Sequence, residues 1–254
     1  ASSVGSSTHS TWSRSTSRAT ADEHSTFRCC RTTNGTHRWR EPLRWWYNRT
    51  NAPSPWDGDT AGTVNEIRKA LEAWTAVCDV AFVYQGETTT PANNRVQDPR
   101  YGEQPDFVNV VGWGELDGRT AGVTWAWNAT GPSGNELVDT DIILSTALVQ
   151  SATEMKRTGT HEWGHALGLA HSDFYGALMS GPPVTTYNNL TTLQVDDERG
   201  CRCLYGAPAA TPAGIAATLA SELLQASAHR FLPSEEIVGL PGLARCHLNR
   251  LLVP

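Results

Sequence analysis

The spacing of apolar positions divides the 254-residue chain into three stretches. Residues 1–20 hold twelve Ser or Thr and only Val4 and Trp12 as large apolar side chains. That is too little to offset the entropy of ordering a backbone, so this stretch is expected to be disordered. Pattern starts near Trp39. Leu43-Arg44-Trp45-Trp46-Tyr47 is rich in strand-favouring aromatics and stops at Asn51-Ala52-Pro53, a turn signal, which predicts a first strand. Behind the capping box Thr63-Val64-Asn65-Glu66, the residues Val64, Ile67, Leu71, Trp74 and Cys78 recur at spacings of three and four and predict an amphipathic helix. Four β-branched or aromatic runs follow, at 80–84, 107–113, 122–127 and 137–144, separated by Gly, Pro, Asn and Asp, and each reads as a strand. A second capping box, Ser151-Ala152-Thr153-Glu154, opens a helix through about Leu169, weakened at Gly168. A last short helix is expected around 192–204.

About five strands with one helix inserted after the first, then two more helices, is an α+β pattern. Residues 1–38 read as a Ser/Thr-rich leader or propeptide remnant and 39–206 as the folded domain. After Gly206 the composition turns to Ala and Pro, so 207–254 reads as a linker and tail with one amphipathic helix around 215–231. The 39% hydrophobic content is enough for one substantial core, and no apolar run is long enough for a membrane-spanning helix. A net charge of −6 with scattered basic residues lacks the footprint of a nucleic-acid binder. Only Lys69 and Lys156 among 20 basic residues are lysines, which together with the many Ala and Gly points to GC-rich coding and a bacterial source. The six cysteines show no CxxC spacing and suit the disulfides of an exported protein.

Three of the eight histidines fall within one run, His161-Glu162-Trp163-Gly164-His165-Ala166-Leu167-Gly168-Leu169-Ala170-His171. On a helix, His161 and His165 project from one face about one turn apart and can share a metal. Glu162 lies about 100° further round. Its carboxylate there sits beside the metal and reaches a water without being a ligand, the geometry of a general base. Gly168 permits the left-handed backbone that ends the helix, so the chain can turn and deliver His171 as a third ligand. Three nitrogens leave a fourth tetrahedral position open, as catalytic zinc requires. A lone His-x-x-x-His pair is common on helices. The five specified residues together arise by chance, from this chain's own residue frequencies, at roughly a few in a hundred thousand.

This extended motif, followed by Gly176-Ala177-Leu178-Met179, resembles the signature of the metzincin zinc metalloproteases and its Met-turn. Within that clan, Ser172 directly after the third histidine and the run through Met179 resemble the matrixins, the family of the matrix metalloproteinases. Asp196-Asp197-Glu198-Arg199-Gly200-Cys201-Arg202-Cys203-Leu204-Tyr205-Gly206 is similar to the last helix of matrixin catalytic domains. The resemblance covers about residues 39–206. It implies a five-stranded mixed twisted sheet with two long helices, then a small C-terminal subdomain holding the Met-turn and a third helix. It implies one catalytic zinc on His161, His165 and His171, Glu162 as the catalytic residue, and Met179 as an apolar floor under the zinc. It also implies that residues 122–127 form the edge strand along which an extended peptide substrate adds its backbone. The specificity pocket falls on residues 180–184, and an apolar substrate side chain is expected there.

The chain departs from the family at three places. Matrixins carry a structural zinc on histidines of the strand region, and no histidine occurs here between His37 and His161, so that site is expected to be absent. Asp139 and Asp141 fall near the family's calcium-binding stretch, but its loops are not recognisable. They read as solvated strand-end carboxylates, with calcium as the one further ion the resemblance leaves open. Cys29 and Cys30 lie in a segment without the family's switch motif and are expected to pair with Cys201 and Cys203.

These readings together predict a monomeric, secreted zinc endopeptidase acting on extracellular protein substrates, with no nucleic-acid partner. The alternative is a catalytically silent, zinc-containing module that holds peptides on the edge strand. Glu162 argues against it, because a pure binder has no use for a base beside the metal.

Overall fold

The structure is a computed structural model that describes residues 11–16, 37–100, 102–131, 134–181 and 190–208. Thr11–Thr16 form a strand, β1, where the sequence predicts disorder. An edge strand draws on backbone pairing more than on apolar side chains, and Thr and Trp suit an extended backbone. Strand β2 (Leu43–Tyr47) forms where predicted and alternates, with Leu43, Trp45 and Tyr47 buried. Helix α1 (Thr60–Thr75) buries Val64, Ile67, Leu71 and Trp74 along the predicted face. Its cap is Asp59, whose carboxylate accepts the Gly62 N–H at 2.9 Å. Thr63, the expected cap, lies a turn inside the helix and donates its hydroxyl to Asp59 O at 2.8 Å.

Strand β3 (Phe82–Glu87) is followed by a polar hairpin of β4 (Arg95–Asp98) and β5 (Gly102–Pro105), which no apolar alternation announces. Then come β6 (Val110–Gly114), β7 (Gly122–Gly131) and β8 (Gly134–Ser145). Helix α2 (Ala152–Ala166) starts at its predicted cap, Ser151, which accepts the Glu154 N–H at 3.2 Å. Helix α3 (Val195–Tyr205) begins at Gln194, which forms a capping box with Asp197.

The main sheet has the order β1-β7-β8-β6-β2-β3. Strands β3, β2, β6 and β8 run parallel to one another, and β7 runs antiparallel to β8. This is the expected five-stranded mixed sheet of an α+β fold, with β1 added along its edge. β1 is antiparallel to β7, in a register from Thr11 opposite Thr130 to Thr16 opposite Trp125. The hairpin is tied to the same strand by the Arg95 guanidinium, 5.2 Å above the Trp125 ring.

Helices α1 and α2 pack closely because Gly159 faces Ala70, where an added Cβ would stand 3.2 Å from the alanine methyl. The Trp74 indole N–H reaches across to donate to Thr160 O at 2.9 Å. Trp45 of β2 meets Trp163 of α2 edge-on, with ring centres 5.7 Å apart. These contacts fix α2 against the sheet and so place the residues on its opposite face. Cys78, the last residue of the apolar stripe, is bonded to Cys201 of α3. This corrects the expected pairing of Cys201 with the leader cysteines: the stripe carries Cys78 into the core where α3 docks, and both residues are buried. Cys203 is disulfide-bonded as well. Cys29 and Cys30, the expected helix at 215–231, and residues 182–184 of the expected pocket lie outside the described residues. Among the described residues, no helix is long and apolar enough to cross a membrane.

Candidate metal centre

His161 and His165 sit one turn apart on α2, and the helix stops just beyond them at Ala166. Gly168 carries the turn at φ +95°, a conformation that other residues resist. The chain then brings His171 back beside the helix. The three Nε2 atoms converge: His161 to His165 is 3.1 Å, His165 to His171 is 3.1 Å and His161 to His171 is 3.2 Å. Tetrahedral ligands at about 2.0–2.1 Å from one ion stand roughly 3.3–3.4 Å apart, close to this spacing. The other ring nitrogen is occupied by backbone in two of the three: His161 Nδ1 donates to Leu178 O and His165 Nδ1 to Leu169 O, each at 2.8 Å. Those bonds set the tautomer that leaves the Nε2 lone pair for a metal. Burial, with the charge of the neighbouring histidines, holds His165 well below its ordinary value. His171 is held down at about 4, by burial and then by His161. Among the described residues, these three histidines are the one group of three or more ligand side chains close enough to share an ion. The donor set, three imidazoles with His161 and His171 part-exposed, fits zinc with an open position.

Met179 packs against Gly164, the residue before His165, where an added Cβ would clash with the Met179 sulfur and stand 2.8 Å from Trp74 Cζ2. The turn that carries it is held from two sides. Ser172 N–H donates to Met179 O at 2.7 Å. From α3, the Asp197 carboxylate accepts the N–H groups of Leu178 at 2.8 Å and Met179 at 2.9 Å.

Glu162 follows His161 and is 5% exposed. Its carboxylate faces β7, where the Thr124 hydroxyl donates to Oε2 at 2.6 Å. Burial pushes this carboxyl above its ordinary value, while His161 and the Thr124 hydroxyl pull it down. A carboxylate raised by burial and next in sequence to one of the converging imidazoles holds a proton more readily than an exposed glutamate does.

The matrixin family model matches residues 39–206. The chain belongs to the matrixin family. Matrixins are zinc metalloendopeptidases, and the family implies a catalytic zinc that the three-histidine cluster fits. Stromelysin-3 of Rattus norvegicus is 41% identical over 70 residues, 28% of this chain and 14% of that protein. Macrophage metalloelastase of Oryctolagus cuniculus is 33% identical over 145 residues, 56% of this chain and 28% of that protein. Metalloendoproteinase 1 of Glycine max is 32% identical over 167 residues, 61% of this chain and 48% of that protein. This matrixin therefore spans less than half the length of each of these relatives.

Asp139 and Asp141 of this matrixin are not the solvated carboxylates that the sequence predicts, being 0% and 2% exposed. Both lie on the central strand β8, where the neighbouring strands and the 106–110 segment cover them. Asp141 Oδ1 accepts the Val110 N–H at 2.9 Å, and Asp139 Oδ2 accepts the Phe107 N–H at 3.2 Å. Asp139 Oδ1 is buried without a partner among the described residues. Burial pushes Asp139 up to about 7, with Asp106 adding to it. It pushes Asp141 up to about 8, with Asp139 adding to it. Sequence reasoning missed Thr124, Gly122 and Asp197. The alternation of small and large residues in Gly122-Val123-Thr124-Trp125-Ala126-Trp127 is the signal that bears on the first two, because it marks a strand face on which a helix lies close.

Proposed function

We propose that this chain is a zinc-dependent endopeptidase in which His161, His165 and His171 hold the metal and Glu162 is the general base. The observation that carries the reading is the convergence of three Nε2 lone pairs, two of their rings fixed from behind by backbone carbonyls, with a buried carboxylate next to His161 in sequence. Zinc held there supplies Lewis-acid polarisation of the scissile carbonyl and lowers the pKa of water toward about 7. Glu162 takes the proton of the attacking water on its carboxylate and later gives it to the leaving amine nitrogen. Met179 keeps the underside of the cluster apolar and dry. The N-terminal part of β7 aligns the substrate backbone in an extended form. The substrates are extracellular proteins and the enzyme is exported, in keeping with the Cys78–Cys201 disulfide.

The test is incubation of the purified chain with a peptide library, with and without a zinc chelator, with cleavage sites read by mass spectrometry. Chelator-sensitive cleavage is expected, and Glu162→Ala is expected to keep zinc while losing turnover. Peptide binding without cleavage would favour the silent binding module instead.

A further inference from the structure

Strand β7 does more than border the sheet beside α2. Alternation places Gly122 and Thr124 on one face of it, and both touch Glu162. An added Cβ at Gly122 would stand 2.6 Å from Glu162 Cγ and 2.8 Å from Oε1, so the carboxylate lies in space that only glycine leaves open. Two residues along, the Thr124 hydroxyl is 2.6 Å from Oε2 and 3.0 Å from Glu162 O. Thr124 is 1% exposed, so water does not compete for its hydroxyl. The strand itself is anchored, with Thr124 opposite Ile142 of β8. Threonine is also stiff at χ1, whereas glutamate has three freely rotating bonds. Among the described residues, the carboxylate receives its hydrogen bond from Thr124 alone.

We propose that Thr124 is a positioning residue for Glu162: its hydroxyl pins Oε2, so that Oε1, in the space left by Gly122, is the oxygen that carries the transferred proton. The inference rests on the general-base reading of Glu162. The hydroxyl has one hydrogen and two acceptors within reach. While Glu162 is ionised the hydrogen serves Oε2, and when Oε1 takes the proton this bond is kept, so the side chain does not have to rotate between taking the proton and delivering it. Displacements of about 1 Å in such a group slow turnover roughly a hundredfold, which is the effect a loosened carboxylate should have.

The experiment compares Thr124→Val, which keeps the shape and removes the hydroxyl, with Thr124→Ser, which keeps the hydroxyl, in the zinc-loaded full chain. Thr124→Ala serves as the second hydroxyl-free variant if valine disturbs folding. Thr124→Val should lower kcat by about tenfold to a hundredfold, the range set by losing one hydrogen bond to a charged group. KM and zinc content should stay unchanged, and Thr124→Ser should restore kcat to within about threefold of the parent, since it retains that bond. Crystal structures of the metal-free variants give a readout independent of turnover: the Glu162 carboxylate should occupy one position in Thr124→Ser and several in Thr124→Val. A normal kcat in Thr124→Val, a serine variant as slow as valine, or an unmoved carboxylate in Thr124→Val overturns the inference. Glu162→Gln run in parallel separates the two failures. If it turns over normally the general-base reading falls and takes this inference with it; if it is inactive while Thr124→Val is normal, this inference alone falls.

Discussion

The carboxylate of Asp197 on the first turn of α3 accepts the backbone N–H of Met179 at 2.9 Å. The same carboxylate accepts from Leu178 at 2.8 Å and from Gln194 at 2.7 Å. Leu178 in turn presents its carbonyl to His161 Nδ1. Helix α3 therefore supports a proposed zinc ligand through a single residue of loop. Asp197→Ala leaves buried N–H groups without an acceptor and should lower stability by about 3 kcal/mol or more, measured from the urea midpoint. Zinc affinity, measured by competition with a chelating dye, should fall as well. Unaltered affinity in a destabilised variant would show that the loop keeps its shape without Asp197.

Gly164 is the close point between α2, Trp74 and Met179. An alanine there meets an indole ring locked in the core, not the end of a flexible chain. Gly164→Ala is expected to destabilise the domain by about 1–3 kcal/mol, the usual range for overpacking, and to shift His165 next to it. Calorimetry reads the first effect and the metal titration reads the second.

The buried pair on β8 makes stability depend on pH. An ordinary aspartate has a pKa of 3.8, whereas Asp139 and Asp141 are pushed up to about 7 and about 8. Between those values the folded chain holds protons that the unfolded chain has released. The contribution is thus fully present below about pH 4 and lost as pH rises through 7 and 8. Asp141→Asn keeps an oxygen for the Val110 N–H and cannot ionise. Its stability relative to the parent should be unchanged near pH 4 and higher by a few kcal/mol above pH 8, since each tenfold difference in proton affinity between the folded and unfolded chain is worth about 1.4 kcal/mol. Urea midpoints across this range measure the difference, and a gap that does not widen with pH contradicts the account.

Chelation should destabilise the protein. Without an ion, three Nε2 lone pairs face one another at 3.1–3.2 Å. Adding zinc should raise the melting temperature, with a stabilisation of about 4 kcal/mol at a thousandfold excess over Kd. Magnesium, which prefers oxygen ligands, should leave the melting temperature where it is. His171→Ala should remove most of the response to zinc.

The features legible in the sequence are those whose parts lie close together along the chain. His161, His165 and His171 share one helix and its exit, so spacing alone places them. Ser151 caps α2 as its box predicts. Thr63 shows the limit of such local reading: its hydroxyl is taken by Asp59 O, one turn back, and the helix starts at a residue that carries no box. The rest depends on distant partners. Thr124 meets Glu162 across 38 positions and Cys78 meets Cys201 across 123, and no periodicity encodes either encounter. Asp139 and Asp141 look like surface residues because the strands and segment that cover them come from elsewhere in the chain.

Strand β1 runs along the outer edge of β7 and ends at Thr16, opposite Trp125, one position from Thr124. A peptide that adds to this edge therefore meets an occupant belonging to the same molecule. A segment joined to its site through the same chain acts at an effective concentration of up to about millimolar. A dilute peptide spanning Trp125 to Thr130 must outcompete that local excess, whereas a peptide that reaches no further than Thr124 does not. If substrates add to this edge as proposed, β1 competes with the long ones, and severing the chain beyond Thr16 should lower the affinity they need without touching a single residue of the metal centre.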